Sequence, residues 1–239
     1  MNKHTILFLA ANPIGTDPLA LDREARAIQI ELERSGHRDR FELVTRWAVE
    51  PLDLLRELRK LKPTVVHFSG HGGRSGPGGH RAGATPQRDT VGDDGDDGNE
   101  GNEGNESQHS LYFQSRDGQP QRVSARALRE TFGAAGSSVQ VVVLSACYSH
   151  DQAEALRTHV DCVVGMHGAI RDDSARNFAI GFYGGLGEHE SVAAAYRQGC
   201  AAIGLEGLPD ADLPQLAVRD GVDAERVLLA ADRRVQATQ

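Results

Sequence analysis

The sequence predicts an α/β fold in which helices cover both faces of a mostly parallel sheet, giving a three-layer α/β/α sandwich. Continuous apolar runs of strand length, of which residues 141–144 are the clearest, are typical of parallel strands buried on both faces. These runs alternate along the chain with segments of helical periodicity. The alternation supplies the crossover connections that parallel strands need.

The individual elements follow from these patterns. Strands are predicted at residues 5–10, 41–45, 64–68, 139–144, 162–166 and 227–229, with a hairpin formed by 111–114 and 122–123. Helices are predicted at residues 17–35, 52–61, 125–132, 151–159, 172–186 and 191–203. Gly36 ends the first helix, and Ser124 caps the third. Pro63 separates the second helix from the third strand, and Asp117-Gly118 forms the turn of the hairpin.

Residues 73–109 differ in composition from the rest of the chain. Ten of these 37 residues are glycine, and residues 98–106 are three tandem Gly-Asn-Glu triplets. Such a segment cannot bury enough apolar surface to offset the entropy of ordering it, so a disordered surface insertion is predicted. Nothing else in the sequence indicates a second domain, and residues 1–239 are predicted to form a single domain.

Composition also limits the partners. The formal net charge is -8 at pH 7, and no cluster of Lys or Arg offers a binding site for phosphates. The first residues lead directly into a strand-like run, without an export signal or membrane span. Three cysteines without close spacing do not form a disulfide framework. The sequence therefore predicts a cytoplasmic protein that binds neither nucleic acid nor a membrane.

Two polar motifs that follow apolar runs are the candidates for chemistry. His71 lies in Ser69-Gly70-His71-Gly72 after the third strand, and Cys147 follows Ser145-Ala146 after the fourth. The carboxyl ends of parallel strands meet at one edge of the sheet, where ligands bind. A thiolate with an imidazole in reach is a nucleophile with its base, so the pair predicts cysteine-dependent acyl transfer.

Other residues of the same types are poorer candidates. His67 lies inside the third strand, where a buried, hydrogen-bonded neutral imidazole is expected. His71 is flanked by two glycines, which let its side chain stand clear of the sheet. Free cysteines are commonly buried structural residues, and Cys162 and Cys200 are interpreted in this way. Cys147 is kept as the nucleophile because it pairs with His71.

No metal or cofactor is predicted. His67, His71 and His80 lie on a strand and a loop, without a Cys or carboxylate partner at a zinc-site spacing. The acidic insertion does not reproduce the pattern of a calcium-binding loop. The glycines of residues 181–187 end a helix and do not link a strand to one, so phosphate binding is not predicted.

Several segments together resemble the caspase-like CHAT proteases, relatives of caspases, separases and clostripain-type peptidases. The segments, in the family's order, are residues 6–13, 46–49, His67-Phe68-Ser69-Gly70-His71-Gly72, Leu144-Ser145-Ala146-Cys147-Tyr148-Ser149 and 178–183. The resemblance covers residues 5–207 apart from the insertion. It implies a caspase-type sandwich and a cysteine endopeptidase with a dyad of His71 and Cys147. It also implies an oxyanion hole formed by the backbone N–H groups of Gly72 and Cys147.

The resemblance further implies a protein substrate, a regulated effector or signalling role of prokaryotic type, and an activating sensor protein as a partner. Related peptidases are processed between the catalytic His and Cys, so the insertion is a candidate site for self-cleavage during activation. The alternative functions are a catalytically silent caspase-fold interaction module and a non-peptidase hydrolase or nucleotide-binding sensor. The presence of both His71 and Cys147 favours the enzyme.

The sequence also allows a prediction about the specificity of the primary substrate pocket. Several relatives that cut after Arg or Lys place an Asp two residues before the nucleophile, where Ser145 stands in this chain. Asp172 and Asp173, at the start of a helix, are alternative sources of negative charge, although acidic residues at that position also stabilise the helix itself. A weak or non-basic preference is therefore predicted.

Overall fold

Helices cover both faces of an eight-stranded sheet in the computed structural model, which describes residues 3–74 and 109–229. The strands are β1 (His4–Ala11), β2 (Phe41–Trp47), β3 (Val65–Arg74), β4 (His109–Gln114), β5 (Pro120–Ser124), β6 (Val141–Ser145), β7 (Cys162–Met166) and β8 (Pro214–Val218). The helices are α1 (Leu21–Arg34), α2 (Pro51–Leu61), α3 (Ala125–Ala135), α4 (His150–Leu156), α5 (Asp172–Gly187) and α6 (Val192–Leu205).

The sheet is mostly parallel. Its main strands lie in the order β2-β1-β3-β6-β7-β8, and only the last pair, β7 and β8, is antiparallel. The hairpin of β4 and β5 pairs antiparallel with the final residues of β3. The predicted α/β/α sandwich with a mostly parallel sheet is therefore confirmed.

Two apolar cores lie on the two faces of this sheet. Helices α1, α5 and α6 pack on one face against side chains that include Ile6 and Phe8 of β1. Helices α2, α3 and α4 pack on the other face against side chains that include Leu7 and Leu9. Successive residues of β1 point to opposite faces, as strand geometry requires, so burial on both faces explains its continuous apolar sequence.

The first helix begins later than its periodicity predicts, at Leu21 instead of residue 17. The Asn12 side chain bonds both main-chain groups of Leu19, donating to its carbonyl and accepting from its N–H, each at 3.4 Å. These bonds keep the preceding segment in a loop, because its backbone groups already have partners outside a helix.

The predicted strand at residues 227–229 is wrong. The final described strand is β8, which pairs antiparallel with β7 at the edge of the sheet. The carbonyl of Val227 instead accepts a hydrogen bond from the N–H of Val192 at the start of α6, at 3.0 Å. Pro214 begins β8, a position at which a strand tolerates the missing N–H.

The third strand is longer than predicted, and this changes the setting of His71. β3 extends to Arg74 because β4 pairs antiparallel with its last four residues, and His71 lies opposite Tyr112. The prediction that the third strand ends at residue 68 and that His71 lies beyond it is therefore wrong. The histidine is held in a strand that leaves the parallel sheet to join a hairpin.

The predicted insertion at residues 73–109 lies outside the described residues except at its ends. Gly73 and Arg74 belong to β3, and His109 belongs to β4. Arg74 and His109 are direct cross-strand partners, so the chain leaves and rejoins the fold at adjacent positions.

Replacing residues 75–108 with Asn-Gly should leave the melting temperature unchanged or slightly higher. The segment's composition predicts no core contacts, Asn-Gly suits a two-residue hairpin turn, and each halving of a flexible loop gains only about 0.6 kcal/mol. Thermal unfolding of the full and shortened chains provides the test. A fall of about 5 °C or more would show that the segment packs on the fold.

Candidate active site

His71 is placed by β3 and oriented by the loop before α1. Its ring is buried, and its Nε2 lies 2.9 Å from the carbonyl oxygen of Asp17. A carbonyl only accepts hydrogen bonds, so Nε2 carries a proton and donates. In the neutral ring, Nδ1 is then the unprotonated nitrogen, which is the state that a general base requires.

Cys147 lies on the turn that follows β6. Its Sγ donates a weak hydrogen bond to the carbonyl of Ile170 at 3.6 Å. The next residue, Tyr148, adopts a left-handed backbone conformation with φ of 55°, and its N–H donates to the carbonyl of Gly168 at 3.0 Å. This turn directs the chain away from the sheet and leaves the thiol at the carboxyl end of β6.

The buried hydroxyl of Ser149 anchors the same turn. It donates to the carbonyl of Leu144 at 2.9 Å and accepts from the N–H of Met166 at 2.9 Å. The hydroxyl therefore joins the end of β6 to the end of β7, which holds the main chain on the C-terminal side of the thiol.

One small cleft brings the main candidates together. His71 and Cys147 line it from β3 and from the turn after β6, and Ser145 and Asp172 contribute to its wall. Asp173 is not among the described residues that line the cleft; its carboxylate accepts from the N–H of Ser174 at 2.9 Å.

Gly72 brings the segments that carry His71 and Cys147 into contact. A Cβ added at this position would overlap the carbonyl oxygen of Cys147. The φ angle of Gly72 is not in the left-handed region, so glycine is required here for space alone. The strand that carries His71 and the turn that carries Cys147 therefore meet through their main chains.

Burial dominates the electrostatics of the pair. Burial raises the pKa of the Cys147 thiol, the hydrogen bond to Ile170 lowers it, and the carboxylate of Asp172 raises it again. Burial lowers the pKa of His71, while the Asp17 carbonyl and the Asp172 charge act in the opposite direction. Both directions favour a neutral thiol beside a neutral imidazole in the free protein.

Alkylation of Cys147 by iodoacetamide should therefore be slow at neutral pH and accelerate as the pH rises, because only the thiolate reacts. The midpoint of the rate profile is expected above that of an unstructured cysteine peptide, since the folded-state pKa is raised. Peptide mapping at a series of pH values measures the rate at this site. A midpoint below that of the peptide would indicate a preformed thiolate and contradict the assignment.

The other two cysteines lie away from the cleft. Cys162 is buried in β7, where burial raises its pKa to about 12, and Cys200 lies on α6. In the part of the chain that the structure describes, no group of three or more His, Cys, Asp or Glu side chains is arranged to hold a metal ion. His80 lies outside the described residues.

Sequence reasoning missed two groups in this region. The Asp17 carbonyl that orients His71 has no sequence signal, because any residue carries a carbonyl. Glu24 also lines the cleft and is almost completely buried. A signal for it was present, because Glu24 stands on the apolar face of α1 between Leu21 and Ile28, where a charged residue has to find buried partners.

Comparison with solved structures defines the class of fold. The chain is similar to a secreted C11 cysteine protease from Bacteroides thetaiotaomicron, solved in complex with an irreversible peptide inhibitor, with a TM-score of 0.51 and 13% identity. The match covers 85% of this chain and 60% of the protease, so the chain spans less than two thirds of that protein's length. The likeness identifies the fold as that of a caspase-like cysteine protease.

The family follows from the sequence. The family model of the CHAT domain matches residues 18–203, and the chain belongs to the CHAT domain family. A comparison with curated proteins finds no match. Within residues 3–74 and 109–229, no helix is long and apolar enough to cross a membrane.

Proposed function

We propose that this protein is a cysteine endopeptidase in which His71 and Cys147 form the catalytic dyad. The observation that carries the proposal is that both side chains line one cleft at the carboxyl edge of the sheet. The caspase-like fold and membership of the CHAT family support it. We also propose that residues 1–239 form one CHAT domain.

The chemistry begins with the thiol and imidazole both neutral. As the sulfur of Cys147 attacks the peptide carbonyl carbon, its proton passes to Nδ1 of His71, and the carbonyl oxygen becomes an oxyanion. His71 then gives this proton to the leaving amine as the C–N bond breaks, which produces a thioester. Water attacks the thioester with His71 as base, and the proton returns to the thiolate when the C–S bond breaks.

The backbone N–H groups of Gly72 and Cys147 are the proposed oxyanion donors. The close main-chain contact between Gly72 and Cys147 supports this assignment, because it brings the backbone of Gly72 next to that of the residue that carries the attacking sulfur. Donors held rigidly before the reaction are effective, since they need no reorganisation when the charge develops.

Cleavage of a peptide library by the purified protein tests the proposed activity. Mass spectrometry should detect products with the wild-type chain and none with Cys147→Ala. Identical products with both proteins would come from a contaminant and would remove the case for a Cys147 peptidase.

The same profile tests the expected specificity. Ser145 is neutral, so we expect no dominant Arg or Lys at the residue before the cut. A profile dominated by Arg or Lys would contradict this expectation. Loss of such dominance in Asp172→Asn, but not in Asp173→Asn, would then identify Asp172 as the pocket acid, since only Asp172 lines the cleft.

The cellular role proposed here is that of a cytoplasmic prokaryotic effector or signalling protease that cleaves a protein partner under the control of a sensor protein. A catalytically silent interaction module is the second candidate. The observation that favours it is that the thiol is hydrogen-bonded to the main-chain carbonyl of Ile170 and that burial raises its pKa. Absence of library cleavage with and without the sensor would favour the silent module.

A further inference from the structure

Glu24 is a buried carboxylate that the dyad chemistry does not use. It lies near the start of α1 and is only 5% exposed. An ionised carboxylate in such a place is very costly unless several donors surround it. The contacts of Glu24 therefore indicate what this buried charge does in the structure.

Two of its donors belong to the strands that carry the dyad. The Ser69 hydroxyl, two residues before His71, donates to Oε2 of Glu24. The Ser145 hydroxyl, two residues before Cys147, donates to Oε1 at 3.0 Å. Ser69 and Ser145 are direct partners in the parallel pairing of β3 and β6. One carboxylate thus bridges the two strands just before the catalytic residues.

His67 is the third donor to the Glu24 carboxylate and links it to α5. Its Nε2 lies 3.1 Å from Oε1 of Glu24, and its Nδ1 lies 3.0 Å from the hydroxyl of Tyr183 on α5. Burial alone would raise the pKa of Glu24, but the interactions with His67 and the two serines lower it overall. The carboxylate is therefore ionised at neutral pH and bound by donors on both of its oxygens.

We propose that Glu24 is a positioning residue that sets the spacing of His71 and Cys147 by binding Ser69 and Ser145 together. This rests on the proposed peptidase function. The bridge acts at the last residues before the strands diverge, where β3 turns to the β4 hairpin and β6 ends. Because an error of about 1 Å in the placement of reacting groups costs roughly 100-fold in rate, a bridge at this point controls turnover.

The same contacts argue against a role for Glu24 in substrate binding. Its oxygens accept bonds from three side chains, and its side chain is almost fully buried behind Ser145. A substrate cation would have to displace these donors. The positioning role predicts an effect on turnover, whereas a pocket role predicts an effect on substrate affinity and on the preferred residue.

The test compares Glu24→Gln with Glu33→Gln, an exposed position on the same helix. Glutamine keeps the shape of the side chain but replaces one acceptor oxygen by a donor amide, so it cannot accept from both strands as the carboxylate does. We expect kcat of Glu24→Gln to fall roughly 100-fold with KM and the library profile unchanged, and Glu33→Gln to match wild type. A change confined to KM or to the profile would overturn the proposal, as would an unchanged kcat.

Two serine variants keep the test decisive if Glu24→Gln does not fold. Ser69→Ala and Ser145→Ala each remove one arm of the bridge without changing the carboxylate. Each should lower kcat, and the double variant should lose less than the product of the two single losses, because both act through one group. Unchanged kcat in both single variants, at temperatures where they are folded, would overturn the proposal.

A chemical readout separates failure of this proposal from failure of the proposed function. The rate at which iodoacetamide alkylates Cys147 is measured at pH 8, with Cys200 of the same chain as the internal reference. His71→Ala and Glu24→Gln should both slow the alkylation of Cys147. If His71→Ala has no effect, the dyad itself is wrong. If His71→Ala slows the reaction and Glu24→Gln does not, only the positioning role is wrong.

Discussion

Cys147→Ala is expected to abolish peptidase activity while leaving the fold intact. Loss of a catalytic nucleophile lowers kcat by roughly 10⁴-fold or more, and loss of its base by about 10²–10⁴-fold. His71→Ala should therefore be nearly inactive as well. It should also cost about 1 kcal/mol of stability, because the hydrogen bond to the Asp17 carbonyl is lost. Activity assays beside thermal unfolding of each variant measure both effects.

His67→Ala is the matched control for His71→Ala. His67 lies four residues earlier on the same face of β3 and is fully buried between Glu24 and Tyr183. Removing it leaves a buried carboxylate without a main partner, which costs roughly 3–5 kcal/mol. We expect a large loss of stability, with more activity per folded molecule than in His71→Ala. The reverse pattern, with His71→Ala active and a well-folded His67→Ala inactive, would assign the base to His67.

Gly72→Ala is expected to inactivate the protein through a single methyl group. The added Cβ would overlap the carbonyl oxygen of Cys147, and this is a main-chain atom that no rotamer change can move. The turn that carries the thiol must then shift away from β3. A shift of about 1 Å is enough for a loss of roughly 100-fold in kcat/KM.

Gly73→Ala provides the matched control. A Cβ there would meet the ring of Tyr112 at 3.4 Å, which is an ordinary contact. We expect this variant to retain most of its activity and its melting temperature. Equal effects of the two alanines would mean that the general loss of glycine flexibility, and not the contact with Cys147, is responsible.

The sequence predicted the fold well because its signals are local. β7 and the start of α5 lie where the apolar patterns placed them, since strand and helix periods are decided by neighbouring residues. The errors arose where pairing with a segment distant in the sequence determines whether a strand forms and where it ends. β3 continues to Arg74 only because β4 pairs with it, and β8 forms in a proline-containing tail because β7 offers it a free edge.

The candidate site was predicted only in part, because some of its contacts join segments that are far apart in the sequence. His71 and Cys147 carry distinctive side chains at strand ends, so topology alone brings them to one edge. The bond from His71 to the Asp17 carbonyl and the need for glycine at position 72 depend on three-dimensional contacts between segments far apart in sequence. Glu24 was visible as a charge on an apolar helix face, but its partners Ser69 and Ser145 become apparent only once β3 and β6 are paired.

The most direct test of the dyad is covalent capture by an irreversible peptide electrophile, with the modified residue identified by mass spectrometry. Such a reagent requires a nucleophilic thiol and a base in one substrate cleft. We expect modification of Cys147 in the wild-type chain, with Cys162 and Cys200 unmodified, and a strong reduction in His71→Ala. Modification of Cys147 at equal rates in wild type and His71→Ala, or of Cys200 instead, would contradict it.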